Sequence, residues 1–401
     1  MQYDYLDDAS GLRDFCRDIA RAESIAFDTE FISEDSYQPD LCLIQVAAGG
    51  RLAVIDALAV EDLKPFWDLL AQPTHTTIVH SGREEFRFCV RSGSARPSGW
   101  FDVQLAAAFV GLEYPAAYGT LIHKLIGKSV AKGETRTDWR RRPLSRTQLE
   151  YALEDVRHLE PMRDILLNRL RDLGRETWFR EDTQKWQDEV EDQDLNQTWR
   201  RVAGIANLSP RSLAIVRELW AWRDQEAKLR NCPSRRLLRD DLIIELARRK
   251  TADEKRIAAV RGLERNRRQL AEIAARIQKA LELADDQCPR LEPKQNSNSP
   301  QFGLLGQYLN ASLGVISRSA QLAPTLVGTV QDVRDLIAYR LEIDARTNRQ
   351  PPLLAQGWRA ELVGRVIDDL LEGRLVMRVN DPFADQPLVF EPTSTGTVQA
   401  S

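Results

Sequence analysis

No apolar run in this chain approaches the length needed to cross a bilayer, so a membrane span is not expected. The first residues, Met1-Gln2-Tyr3-Asp4-Tyr5-Leu6-Asp7-Asp8, are acidic and lack the basic-then-apolar order of an export signal. Cysteine is sparse and odd in number, at positions 16, 42, 89, 232 and 288, with no Cys-x-x-Cys pair. A disulfide framework and a thiolate zinc site are therefore not expected, and a reducing, cytoplasmic setting fits best. The four histidines, 75, 80, 123 and 158, share no metal-ligand spacing. Charge of one sign is missing too: 56 basic residues face 60 acidic ones, a net charge of -4, so any nucleic-acid footprint must be local.

What is present is the composition of a soluble globular chain, 43% hydrophobic and 29% charged. At 401 residues it is too long for one ordinary core, and two or three domains are expected. The chain is organised around Ile25-Ala26-Phe27-Asp28-Thr29-Glu30-Phe31. On a strand, Ile25, Phe27, Thr29 and Phe31 share one face, while Ala26, Asp28 and Glu30 share the other. Two carboxylates side by side on a core strand call for a compensating cation. On a surface strand they are simply solvated, and this stretch alone does not decide between the two.

A helix is expected over 9–22, strands over 41–47 and 52–55 joined by Gly49-Gly50, and a helix over 61–70. A strand follows over 76–80, then helices from near Glu84, over 103–111 and over 147–170. Strands first and strand–helix alternation afterwards imply an α/β domain with a mixed sheet over residues 1–170. The acidic stretch 176–194 lacks a clear apolar face and suggests a connector within 171–205. Residues 206–284 read as wholly helical, and from 226 to 283 they carry 16 Lys and Arg against 9 Asp and Glu, with Arg265, Arg267 and Arg268 clustered. A Pro/Asn/Ser linker is expected over 285–302, a second helical domain over 303–385, and a tail over 386–401.

Five motifs occur in series: Asp28-Thr29-Glu30-Phe31; Leu43-Ile44-Gln45; His80-Ser81-Gly82-Arg83-Glu84-Glu85; Thr137-Asp138-Trp139 with Arg142-Pro143-Leu144; and Gln148-x-x-Tyr151-Ala152-x-x-Asp155-Val156. Together they resemble the ribonuclease D family of DEDD 3′-5′ exonucleases, across roughly residues 1–170. Trp222-Arg223, Cys232-Pro233 and Leu237-Leu238-Arg239-Asp240-Asp241 are similar to an HRDC domain, and Gly357-Trp358-Arg359-x-Glu361 to the family's second C-terminal domain. The resemblance implies an RNase H-like α/β exonuclease domain followed by two all-α HRDC-like domains. It implies two divalent metal ions, Mg²⁺ or Mn²⁺, held by Asp28, Glu30, Glu85 and Asp155. Asp28 would bridge both ions, Glu30 and Asp155 would hold the one that activates water, and Glu85 would support the second through its coordinated water. Tyr151, four residues before Asp155, would orient the attacking water and puts the chain in the family's tyrosine subclass.

The chemistry accounts for these residue types, because phosphodiester hydrolysis needs a nucleophilic water, a neutralised phosphate and a stabilised leaving oxygen. One departure stands out: the family's second motif ends in Asp, and this chain has Glu85. Phe31, His80, Trp139 and Arg142 are candidate substrate contacts, each with a packing or structural role as its alternative. Asp102 is expected to be structural. The activity implied is trimming of RNA 3′ ends, tRNA precursors among them, with release of nucleoside 5′-monophosphates and no obligate protein partner. A DNA 3′-5′ exonuclease and a silenced nuclease that only binds RNA are the alternatives. A helicase is excluded by the lack of any Gly-x-x-x-x-Gly-Lys-Ser/Thr motif.

Overall fold

The computed structural model describes residues 2–129, 137–195, 199–263, 266–291, 300–341 and 351–393. Arg265, much of the expected linker and the last eight residues lie outside them.

The N-terminal domain opens with β1 (Asp4–Leu6), α1 (Ala9–Ile19), β2 (Ser24–Ile32), β3 (Asp40–Ala48) and β4 (Arg51–Asp56). It continues through α2 (Lys64–Leu70), β5 (Thr76–Val79), α3 (Arg83–Arg91), β6 (Phe101–Asp102), α4 (Val103–Phe109) and α5 (Tyr118–Ile126). Three helices follow, α6 (Arg146–Arg157), α7 (Leu159–Asp172) and α8 (Glu176–Leu195). The six strands form one mixed sheet in the order β1-β4-β3-β2-β5-β6, with β2, β3 and β4 antiparallel neighbours and the outer pairs parallel. Strand β2 is therefore central. Ile25 and Phe27 pack on one face with Phe66, Phe86 and Trp100, while α6 covers the other with Leu149, Ala152 and Leu153.

Two expectations in this domain are corrected. The single helix expected over 147–170 is two helices broken at His158, because Pro161 cannot donate within a continuing helix and its ring crowds the preceding turn. The expected connector is the 20-residue helix α8, with Phe179, Thr183, Gln187 and Val190 buried at helical spacing. Polar Thr183 and Gln187 sit inside that stripe, which is why the apolar face was hard to see in the sequence.

The middle of the chain is helical: α9 (Pro210–Leu229), α10 (Ser234–Leu237), α11 (Asp240–Arg249), α12 (Glu254–Ala258) and α13 (Arg267–Leu281) enclose a separate core that includes Leu219, Ile243 and Ile277. A last unit contains α14 (Pro300–Ser319), α15 (Pro324–Val327), α16 (Val330–Arg340) and a helical stretch over 357–371, continuous through a wide turn at Ala360–Gly364. It ends not in helix and tail but in an antiparallel hairpin of β7 (Leu375–Val379) and β8 (Leu388–Pro392). The run Leu375-Val376-Met377-Arg378-Val379 has the branched, alternating character of a strand, which the helical reading overlooked. No helix among the described residues is long and apolar enough to cross a membrane, and all five cysteines are free.

Candidate active site

Asp28 and Glu30 project from β2 toward α6, where their cross-strand neighbours on β3 are Gln45 and Leu43. Directly opposite residues of an antiparallel pair share a face, so Gln45 lies beside Asp28. It is fully buried, and both its amide oxygen and nitrogen lack hydrogen-bond partners. After Glu30 the β2–β3 register shifts by a bulge, and Phe31 turns to the α3 side, packing edge-on against Phe88 at 5.7 Å.

Helix α6 starts with a capping box in which Ser145 and Gln148 satisfy each other's backbone donors. Tyr151 and Asp155 lie one turn apart on it and share a face. The Tyr151 hydroxyl lies close enough to Asp155 for the two groups to shift each other's proton affinity. Behind Tyr151, the Trp139 ring stacks at 6.4 Å and 24°.

Glu85 comes from the first turn of α3. The turn before it is pinned by Asp102, whose carboxylate accepts from the backbone N–H groups of Ser81 and Gly82, each at 3.0 Å. A Cβ at Gly82 would stand 2.4 Å from Val79 Cγ2, so only glycine lets α3 approach the strand here. Glu85 is 5% exposed, and its Oε1 accepts from Thr29 Oγ1 at 2.5 Å.

The four acids lie close enough to shift one another. Burial and then the charges of Glu85, Asp155 and Glu30 push Asp28 well above the usual carboxylate range. Burial, followed by Asp155 and Glu85, pushes Glu30 up to about 8. Burial takes Asp155 to about 7, helped by Glu154, and Glu85 to about 7 against the pull of its Thr29 hydrogen bond. Tyr151 is pushed up to about 12 by burial and then by Asp155, Glu30 and Asp28.

This donor set suits a hard divalent cation, which would remove the repulsion among grouped carboxylates. Among the described residues no group of three or more His, Cys, Asp or Glu side chains forms a ready-made metal cage. The fit is one of chemistry: the acids are gathered, with Glu85 turned onto Thr29 and Asp155 beside Tyr151. Glu84 is engaged instead by Arg87.

The candidate substrate contacts fare differently. Trp139 is 6% exposed and belongs to the core beneath α6, so it supports Tyr151 rather than presenting a stacking surface. All five N–H donors of Arg142 close on Asp56 and on the carbonyls of Trp139, Arg141 and Cys42. In this arrangement Arg142 anchors the loop before α6 and has no donor left for phosphate. His80 donates through Nε2 to the Ala116 carbonyl at 3.0 Å and packs edge-on against Tyr118 at 5.4 Å. Phe31 keeps partial exposure beside the acids. Tyr118, which sequence reasoning passed over, borders the site near Asp155 and Asp28, with its hydroxyl donating to the Glu154 carbonyl at 2.9 Å. A cavity of about 480 Å³ lies elsewhere, between α7, α8 and the start of β5, and none of the four acids lines it.

The loop that follows β2 meets the helical middle domain. There the Tyr37 hydroxyl donates to Asp224 of α9 at 2.6 Å, and Asp35 pairs with Arg236 of α10 at 2.5 Å and with Arg140 at 3.5 Å.

Comparison with known proteins agrees with this layout. A profile of the 3′-5′ exonuclease family matches residues 3–171, and that of the HRDC domain matches residues 212–280. Ribonuclease D of Sphingobium indicum is 32% identical over 383 residues, covering 94% of this chain and 96% of the relative. Ribonuclease D of Zymomonas mobilis is 32% identical over 381 residues, covering 93% and 95%. The crystal structure of Escherichia coli RNase D, described as an exoribonuclease involved in structured RNA processing, superposes with a TM-score of 0.80 at 25% identity, over 93% of this chain and 99% of that one. With an acid-bearing mixed sheet, an HRDC domain and homology along nearly its whole length, the chain belongs to the ribonuclease D family of 3′-5′ exoribonucleases.

Proposed function

We propose that the protein trims the 3′ ends of structured RNA, tRNA precursors among them, in a reaction that depends on two divalent ions, Mg²⁺ or Mn²⁺, and releases nucleoside 5′-monophosphates. The observation that carries this reading is the gathering of Asp28, Glu30, Glu85 and Asp155 from three separate segments, with Tyr151 beside them. Bound divalent ions would supply an activated water and a neutralised phosphate.

The chain's own residues supply the rest. Asp28, Glu30, Glu85 and Asp155 are the ligands. Tyr151, pushed up to about 12, keeps its proton at neutral pH and so can both donate and accept hydrogen bonds at the attacking water. Trp139 fixes the tyrosine ring from behind. Asp102 and Gly82 aim α3, and Arg142 ties down the loop that leads into α6. Phe31 is placed to meet a terminal base, and His80 shapes the wall through Ala116. The basic middle domain, whose Arg236 pairs with Asp35 on the loop after β2, is suited to guiding the RNA backbone. The five free thiols fit a reducing, cytoplasmic setting.

The test is hydrolysis of 5′-labelled single-stranded RNA, and of the matched DNA, with Mg²⁺ or Mn²⁺, by wild type, Asp28→Ala and Glu85→Asp. A ladder shrinking from the RNA 3′ end, abolished by Asp28→Ala, supports the reading. An inert wild type revived by Glu85→Asp would identify a silenced nuclease, and faster cleavage of DNA would move the assignment to a DNA exonuclease.

A further inference from the structure

The side chain at position 85 reaches the site along an unusual route. Asp28 and Glu30 point toward α6, whereas Thr29 between them points to the opposite face, among the Ile25 and Phe27 packing. Its hydroxyl is buried there, with the residue 6% exposed. A buried hydroxyl in an apolar layer needs a partner, and Thr29 finds one in Glu85 at 2.5 Å. That length is typical of an O–H donor on an ionised carboxylate, one of the stronger hydrogen bonds in proteins.

We infer that Thr29 is a positioning residue for Glu85. Rotamer freedom in a glutamate is large, and fixing it costs free energy that a specific contact must offset. The Thr29 hydroxyl provides that contact at a point one residue along the strand from each of Asp28 and Glu30. The backbone of β2 therefore sets the spacing of three carboxylates, two directly and the third through the threonine. No ion pair among the described residues competes for Glu85, and its other stabilising contact is with its own backbone N–H. The proximity is also visible in Asp28, where Glu85 is the neighbouring charge with the largest effect.

This rests on the exonuclease reading above, so its test reads metal binding as well as hydrolysis. Thr29→Val removes the hydroxyl with little change of shape, and Thr29→Ser keeps it. Each is made in the wild-type chain and in Glu85→Asp, whose side chain is one methylene shorter and is expected to lose the Thr29 contact. Mn²⁺ affinity is measured by titration calorimetry, and kcat and KM on labelled RNA.

Thr29→Val is expected to lower kcat by about tenfold or more, within the range that loss of carboxylate placement produces, with KM unchanged. It should also weaken Mn²⁺ binding, and Thr29→Ser should restore most of both. In Glu85→Asp, Thr29→Val should have almost no further effect, since coupled residues are non-additive. If valine and serine behave alike, or if valine costs the same in both backgrounds, Thr29 serves the strand and not Glu85. A wild-type chain that neither binds Mn²⁺ nor cuts RNA overturns the exonuclease reading and this role with it. A wild type that does both leaves the comparison of valine with serine to decide Thr29 alone.

Discussion

Arg142 grips Asp56 with two hydrogen bonds, Nε to Oδ2 at 2.5 Å and a terminal nitrogen to Oδ1 at 2.6 Å, and so joins the loop before α6 to the end of β4. Asp56 is 3% exposed. Arg142→Ala leaves that carboxylate buried without its cation, a change that costs about 3 kcal/mol or more. Urea denaturation should show this loss, and Arg142→Lys should recover only part of it, because an ammonium cannot make the paired contact. A loss below about 1 kcal/mol, the size of an exposed ion pair, would mean that other contacts hold the loop.

The carboxylate cluster makes stability depend on pH and on metal. Glu30 at about 8 and Glu85 and Asp155 at about 7 are raised in the folded chain, so between about pH 4 and those values the folded state binds more protons than the unfolded one. Stability of the metal-free protein should therefore fall as pH rises from about 5 to about 8. Asp56 acts in the opposite direction. Burial would raise it, but Arg142 and Tyr5 hold it below the usual carboxylate value. Its contribution is complete above about pH 4 and is lost as acid titrates the folded carboxylate. Thermal melts at several pH values, with chelator and with Mn²⁺, check both. Mn²⁺ should flatten the decline between pH 5 and 8, and a decline of equal slope with and without the ion would contradict the ligand assignment.

Tyr151→Phe keeps the ring against Trp139 and removes the hydroxyl beside Asp155. Its effect should fall on chemistry, with kcat down by about a hundredfold, as loss of a positioned proton donor or acceptor gives. The melting temperature should hardly move. Trp139→Ala should do the reverse first, destabilising the domain by about 3 kcal/mol through loss of a buried aromatic. Activity per folded molecule, taken with circular dichroism, separates the two.

Asp35 sits between Arg140 of the exonuclease domain and Arg236 of the middle domain, all three partly exposed. Such pairs add little stability, within about 1 kcal/mol. Asp35→Asn should therefore leave the melting temperature nearly unchanged while freeing the Arg236 guanidinium, Arg140 keeping its pair with Asp138 at 3.2 Å. RNA affinity should rise at low salt, and its dependence on salt should steepen by about one counterion. Binding isotherms across a salt series test this, and an unchanged slope would place Arg236 away from the RNA path.

Much of this was legible in the sequence, for physical reasons that can be named. The alternation around Asp28, the Gly49-Gly50 turn and the Tyr151–Asp155 spacing each depend on neighbours a few residues away, and the structure places all three as their periodicity implies. What was missed depends on distant partners. Arg142 looks like a phosphate ligand until Asp56, 86 positions away, is seen to hold it. Trp139 looks like a stacking surface until α6 closes over it. Helix α8 is polar enough to pass for a connector, and its packing against the domain rests on distant aromatic partners, Trp186 with Phe86 and Trp100, and Phe179 with Phe101 and Phe109.

The two helical units differ in a way that bears on how the chain could be cut. The middle unit encloses a core of its own. The last unit does not: Leu309, Leu336 and Trp358 share one continuous core with Phe101, Phe109 and Leu166 of the exonuclease domain. Arg175 donates to the carbonyls of Phe109, Ala320 and Gln321, and the Ala323 N–H meets the Ala108 carbonyl at 2.9 Å. Asp182 on α8 holds both Trp358 and Arg359. The last helical unit is thus structurally part of the first domain, and the chain must be made through about Ile367 before the catalytic domain can bury its full hydrophobic surface. A nascent or truncated chain lacking that unit exposes the underside of α4 and α8, so an intact sheet and intact acids would not by themselves make a soluble nuclease.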